Sequence, residues 1–205
     1  TRVTDDPKFA MTLIPFHYTA QPVARMDVVR AAQAPLIELW QNVGECLYLG
    51  VLHDDKVLYL SHHEGTHNVH LGGRLGEHYW PHAAAAGKVL AAFADTDQRE
   101  RIIKKGLVKL TSATHCDRKS FLADMEQVRR QGYALDFEEY MEGGLCYAAP
   151  VRDYTGKVVA AIGTTVLTIH YQRKDIVRVL GPQINEVAGR ISTALGWPGK
   201  ATGEK

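Results

Sequence analysis

Cysteine is scarce. The 205 residues include three, Cys46, Cys116 and Cys146, an odd number, widely spaced and without a CxxC pair. This argues against a disulfide framework or a Cys-only zinc site and points to the cytoplasm. Neither sign of charge is in excess: 24 Lys and Arg against 23 Asp and Glu leave +1. A domain that grips nucleic acid by its phosphates needs a basic surplus, and this chain lacks one. No apolar run approaches the roughly 18 residues of a membrane span, so no membrane partner is expected. The opening stretch TRVTDDPKFAMTLIPF is broken by Pro15 and does not read as a signal peptide. Enzymatic signatures are missing as well: there is no GxSxG, Walker loop, HExxH or GxGxxG. No cofactor is expected.

Hydrophobic residues make up 45% and charged residues 23%, the proportions of a globular chain with a real core. Residues 1–22 carry no clean period and three prolines, and read as an arm or linker. Residues 23–197 read as one domain and 198–205 as a tail. From Val23 to about 43 apolar residues recur at helical steps, with Pro35 predicting a kink or restart and Gly44 a stop. ECLYLGVLH (45–53) and KVLYLSHH (56–63) predict a hairpin turning at Asp54-Asp55. A third extended piece is expected near His67–Leu71, and Gly72, Gly73 and Gly76 then predict a flexible turn. Helices are expected over 82–93, over 96–106 with Thr96 as cap, and over 117–131. A strand over 133–137, a hairpin over 145–167 and a long helix over 173–195 complete an α+β fold with one sheet and one core.

Two groups of residues suggest chemistry. Six of the ten histidines lie between His62 and His82. Imidazole is the commonest metal ligand, so His63, His67 and His70 form a candidate metal set and support an alternative reading as a metal sensor or metal-dependent enzyme. Asp136 stands beside Glu138, Glu139 and Glu142. On a strand it faces away from Leu135 and Phe137, which makes it a ligand contact.

GEHYWPHAAAAGKVLAAF (76–93) resembles a segment of the effector-binding domain of the IclR family of bacterial transcription regulators. LTSATHCD (110–117) and RRQGYALDFEEYMEGGLCYAAPVRDYTGKVVAAIG (129–163) extend the resemblance, which covers about residues 23–196. It implies a GAF-like fold, a curved antiparallel sheet flanked by helices. It also implies a small-molecule effector and a homodimer or homotetramer. DNA is contacted only through a winged helix-turn-helix that is not recognisable in this chain, which is read as the sensor part cut at the linker. By motif position the effector contacts are the main chain of Ala85 and Ala86, the side chains of Asp136, Cys146 and Thr165, and Gly163. Gly163 stands where a hydroxyl residue is usual and Trp80 where a proline is usual. With Tyr79, Trp80 and Tyr147 as aromatic walls, the space freed at Gly163 predicts a larger ligand, an aromatic acid. A pure dimerisation module with a collapsed pocket is the remaining reading.

Overall fold

The computed structural model describes residues 26–68 and 71–199. The arm over 1–22, His70 and all but the start of the tail lie outside the described residues.

The first helix, α1 (Asp27–Val43), buries Val28, Ala32, Leu36 and Leu39, a stripe at steps of three and four residues. It runs through Pro35 as one helix, so no restart occurs there. Gly44, at φ 66°, ends it in the left-handed conformation that glycine adopts without steric cost. β1 (Cys46–His53) and β2 (Lys56–His63) form the expected hairpin. Both turn residues, Asp54 and Asp55, have positive φ, as a tight turn matched to strand twist requires. Of the extended piece expected near His67–Leu71, the described residues His67, Asn68 and Leu71 are not in a strand. Residues 64–68 are irregular, and β3 (His78–Tyr79) pairs with β2 instead.

Helices α2 (Ala85–Phe93), α3 (Thr96–Lys105) and α4 (Arg118–Gln131) follow. The cap of α3 is Asp95 rather than Thr96: its carboxylate accepts the Gln98 N–H at 2.7 Å. β4 (Ala134–Phe137), β5 (Gly144–Arg152) and β6 (Val158–Leu167) supply the second half of the sheet. The last helix, α5, comprises Arg173–Asp175, a π turn over Ile176–Leu180, and Gly181–Ala194. The π turn sits just ahead of Pro182, which has no N–H to continue the α ladder.

The six strands form one antiparallel sheet in the order β3-β2-β1-β6-β5-β4. β1 and β6 join the two hairpins edge to edge, from Cys46 opposite Thr165 to Gly50 opposite Ala161. Side chains alternate across the sheet. Leu47, Leu49, Tyr147 and Ile162 pack into one core with α1 and α5. Tyr48, Ala148 and Ala161 pack into another with α2 and α4. α2 is buried on every side from Ala85 to Ala92, because its alanines let it lie close to both the sheet and α4. Among the described residues no helix is long and apolar enough to cross a membrane.

Candidate functional site

The sheet register builds the site. Cys46 on β1 lies opposite Thr165 on β6, Thr165 opposite Cys146 on β5, and Cys146 opposite Asp136 on β4. Directly paired residues point to the same side of a sheet. The four therefore form one row across the face that α2 covers. At that row is a hollow of about 60 Å³ lined by Asp136, Cys146 and Thr165 below and Ala84 and Ala85 above. Tyr48, Tyr59 and Tyr79 stand at its side.

Asp136 is the chemically distinctive group. It is 2% exposed, and its Oδ1 accepts the N–H groups of Glu139 at 2.8 Å and Tyr140 at 3.1 Å. Burial pushes its carboxyl up to about 6, against the lowering effect of those two bonds and of Lys88. The Cys146 thiol touches the Thr165 hydroxyl at 3.3 Å. Burial and then Asp136 raise its pKa well above the usual thiol range. Cys46, 3.0 Å from His62 Nε2, is pushed to about 12 by burial and then Glu45. Both thiols stay protonated, so neither is an activated nucleophile.

Above the row, α2 begins at Ala85 with Ala84 as its cap residue and no side chain capping it. The first N–H groups of a helix have no partner within it and carry the positive end of its dipole. This start is held by close packing. A Cβ on Gly87 would lie 2.3 Å from Pro81 Cα and 2.6 Å from the Pro81 carbonyl oxygen, so only glycine fits. One residue on, Lys88 Nζ donates to both Glu139 carboxylate oxygens at 2.5 Å and approaches Asp124 at 3.3 Å. Burial raises the Glu139 pKa even against Lys88.

Tyrosines form the wall. Tyr48 stacks on Tyr59 with ring centres 4.7 Å apart, Tyr59 on Tyr79 at 4.4 Å, and Tyr140 tilts against Tyr79 at 5.5 Å. The loop at Gly72-Gly73 lies against this wall and is more than a flexible turn. A Cβ on Gly73 would meet the Tyr59 ring at 2.2 Å, and one on Gly72 would meet His62 at 2.8 Å and Cys46 at 2.9 Å. The Tyr79 hydroxyl fastens the loop by accepting the Arg74 N–H and donating to Glu77.

Of the residues singled out from the sequence, Tyr79, Ala85, Asp136, Cys146 and Thr165 line the hollow, and Ala86 follows in the first turn of α2. Tyr147 does not line it. Tyr147 projects from the opposite face, stacks on Tyr133 and donates to Asn185 Oδ1 at 3.1 Å. Trp80 also stands apart, under the Lys56 ammonium and edge-on to His82. Gly163 lies in the row next to the hollow, but the room it leaves is already filled. A Cβ there would come within 2.5 Å of the Tyr48 hydroxyl and 2.4 Å of the Tyr147 carbonyl oxygen. Tyr48, Tyr59 and Tyr140 were missed from the sequence. The available signal was Tyr48 and Tyr59 on the same side of two alternating strands.

Among the described residues His63 and His67 do not come together. His63 rests near Trp40, His67 pairs with Glu45 at 3.2 Å and faces His170, and His70 lies outside the described residues. His82 is a buried strut whose Nε2 donates to the Val108 carbonyl at 2.8 Å. Burial lowers its pKa, so it is held neutral. Among the described residues the donors that converge, within 4.8 Å, belong to His115, Asp124 and Glu139, beside a second cavity of about 250 Å³. The Lys88 ammonium already occupies the position between those two carboxylates and compensates their charge.

A curled antiparallel sheet with a small polar hollow under a helix start is the architecture of a regulator's ligand-binding domain. The family model described as "Bacterial transcriptional regulator IclR C-terminal" matches residues 20–193. This chain belongs to the IclR family. It is 29% identical over 194 residues to the HTH-type transcriptional regulator KdgR of Escherichia coli, covering 94% of this chain and 73% of KdgR. The crystal structure of the Thermotoga maritima IclR shares the fold, with a TM-score of 0.81 at 23% identity, over 95% of this chain and 78% of that one. The inducer-binding domain of PobR from Acinetobacter was solved as a double mutant with 3-hydroxybenzoic acid. It matches with a TM-score of 0.73 at 28% identity, over 80% of this chain and 96% of that one. These relatives are transcription regulators, and the metal-centred alternative finds no support among them.

Proposed function

We propose that this domain senses a small organic acid in the hollow between Asp136 and the start of α2, and that it binds its ligand without transforming it. The observation that carries this reading is the opposition of two features across one hollow. The N–H groups at Ala85 and Ala86 suit a carboxylate. The buried Asp136, protonated below about pH 6, suits a ligand oxygen as donor or a ligand hydroxyl as acceptor. Cys146 and Thr165 complete the floor. The protonated thiols support binding over catalysis.

In this reading the DNA-binding part is a winged helix-turn-helix outside this chain, and the protein works as a homodimer or homotetramer in the cytoplasm. The matching KdgR is named as an HTH-type regulator, and this chain covers 73% of it, which supports that arrangement. Effector binding shifts a two-state equilibrium. The shift leaves the site through α1, which shares a core with β1 and α5.

The test is thermal unfolding against a panel of carboxylic acids. A ligand that binds only the native state, at one hundred times its Kd, adds about 2.7 kcal/mol. Stabilisation by an acid that disappears in Asp136→Ala supports the reading. An unchanged response in that variant, or no response to any acid, contradicts it.

A further inference from the structure

Tyr48 and Gly163 are directly opposed across β1 and β6, and the tyrosine uses the room the glycine leaves. Its hydroxyl lies where a Gly163 side chain would begin, 2.5 Å from the ideal Cβ position. The ring cannot retreat toward β2, because Tyr59 stacks flat against it at 4.7 Å, and Gly73 in turn presses on Tyr59. The side chain is 1% exposed. The hydroxyl that shares the hollow with it, Thr165, is engaged with Cys146. Among the described residues nothing hydrogen-bonds the Tyr48 hydroxyl, although it borders the hollow. A hydroxyl that opens onto the hollow without a protein partner favours a ligand that brings an acceptor oxygen.

We infer that Tyr48 is the residue that selects the effector, admitting a short oxygen-rich acid and refusing an aromatic one. This rests on the reading of the hollow as the effector site. Two observations argue for it in different ways. The hollow measures about 60 Å³, against ~150 Å³ for an apolar cavity known to admit benzene. The polar groups also come from three sides: helix N–H groups above, Asp136 below and the Tyr48 hydroxyl beside them. A two- to four-carbon oxo- or hydroxyacid carries enough oxygens to meet all three within that volume. The ring of 3-hydroxybenzoic acid, the acid in the PobR complex, is of benzene size and exceeds that volume. The aromatic acid expected from Gly163 and the aromatic walls gives way in this proposal to a short one, because a residue 115 positions away fills the gap and Trp80 and Tyr147 stand away from the hollow.

The experiment compares wild type, Tyr48→Phe and Tyr48→Ala. Binding of pyruvate, lactate and 3-hydroxybenzoate is measured by calorimetry, and circular dichroism checks the fold of each variant. Wild type is expected to bind pyruvate or lactate and not the benzoate. Tyr48→Phe keeps the ring and loses the donor, so it should bind the short acid about tenfold more weakly, as expected for one lost hydrogen bond. Tyr48→Ala should open the hollow and gain the benzoate. If it fails to fold, Tyr48→Leu serves as the opened variant. Should wild type bind 3-hydroxybenzoate as well as the short acids, selection by Tyr48 is wrong while the effector site stands. Short-acid binding that is equal in wild type and Tyr48→Phe overturns the donor role. If wild type and every variant ignore all three acids, the selection and the site reading fall together.

Discussion

The backbone N–H of Glu139 donates to Oδ1 of Asp136 at 2.8 Å, so the floor of the hollow and the partner of Lys88 are joined by one hydrogen bond. Lys88 in turn lies in α2, whose start roofs the same hollow. A change at Asp136 therefore reaches the buried ion pair and the helix together.

The first consequence is a pH dependence of stability. An aspartate in the unfolded chain titrates near 3.8, whereas Asp136 in the fold is pushed up to about 6 by burial. Below about pH 4 the group is protonated in both states. Between about 4 and 6 the unfolded chain ionises first, so stability falls as pH rises. Above about 6 the penalty is constant, about 3 kcal/mol. Asp136→Asn can accept the same two N–H bonds without a charge to desolvate. Denaturant melts from pH 3.5 to 7.5 should show wild type losing stability relative to Asp136→Asn across that window. Parallel curves would contradict the assignment.

A second prediction concerns Lys88, whose side chain is 4% exposed beside Glu139 and Asp124. Lys88→Met strands two carboxylates in the interior and should cost about 3–5 kcal/mol. Lys88→Met with Glu139→Gln should recover part of that loss, because less charge is left uncompensated. Urea melts of the two single variants and the double variant give the coupling. Strictly additive losses would mean that the pair does not act as one.

Gly87 provides a third test through packing. Alanine is the better helix former by about 1 kcal/mol, yet its Cβ would strike the Pro81 backbone, which cannot rotate away. Gly87→Ala should lower stability by about 1–3 kcal/mol. At Gly189, where a Cβ meets nothing within 4 Å, the same substitution should raise it by up to about 1 kcal/mol. Thermal melts of both variants decide, and a stabilised Gly87→Ala would sink the explanation of that glycine.

Tyr147 separates the two faces of the sheet. Its hydroxyl bonds Asn185 on α5, away from the hollow. Tyr147→Phe should cost about 1 kcal/mol of stability and leave short-acid binding by calorimetry unchanged. A weakened ligand response would show that the two faces are not independent.

Much of the fold was legible because its signals are local. The Asp54-Asp55 turn, the Gly44 stop and the hairpin over 145–167 each follow from a few adjacent residues. The resemblance in 76–93 and 129–163 located Ala85, Asp136, Cys146 and Thr165 by motif position. Contacts set by register between distant strands were not legible. Tyr48 reaches Gly163 only because β1 pairs with β6, so reading Gly163 by itself suggested empty space. Tyr147 illustrates the same limit on a smaller scale: it adjoins Cys146 in sequence, and the pleat turns it to the other core. The histidines cluster in sequence, but among the described residues β2 and the loop after it carry His63 and His67 to separate partners.

The central claim is that the start of α2 and the row through Asp136 hold one small acid. Amide-resolved ¹H–¹⁵N NMR during titration with pyruvate or lactate tests it most directly. The account predicts saturable shifts at Ala85, Ala86, Asp136, Tyr140 and Thr165. Shifts confined to the second cavity, at Gln127, Gln131 and Arg173, or no shifts with any acid of the panel, would contradict it.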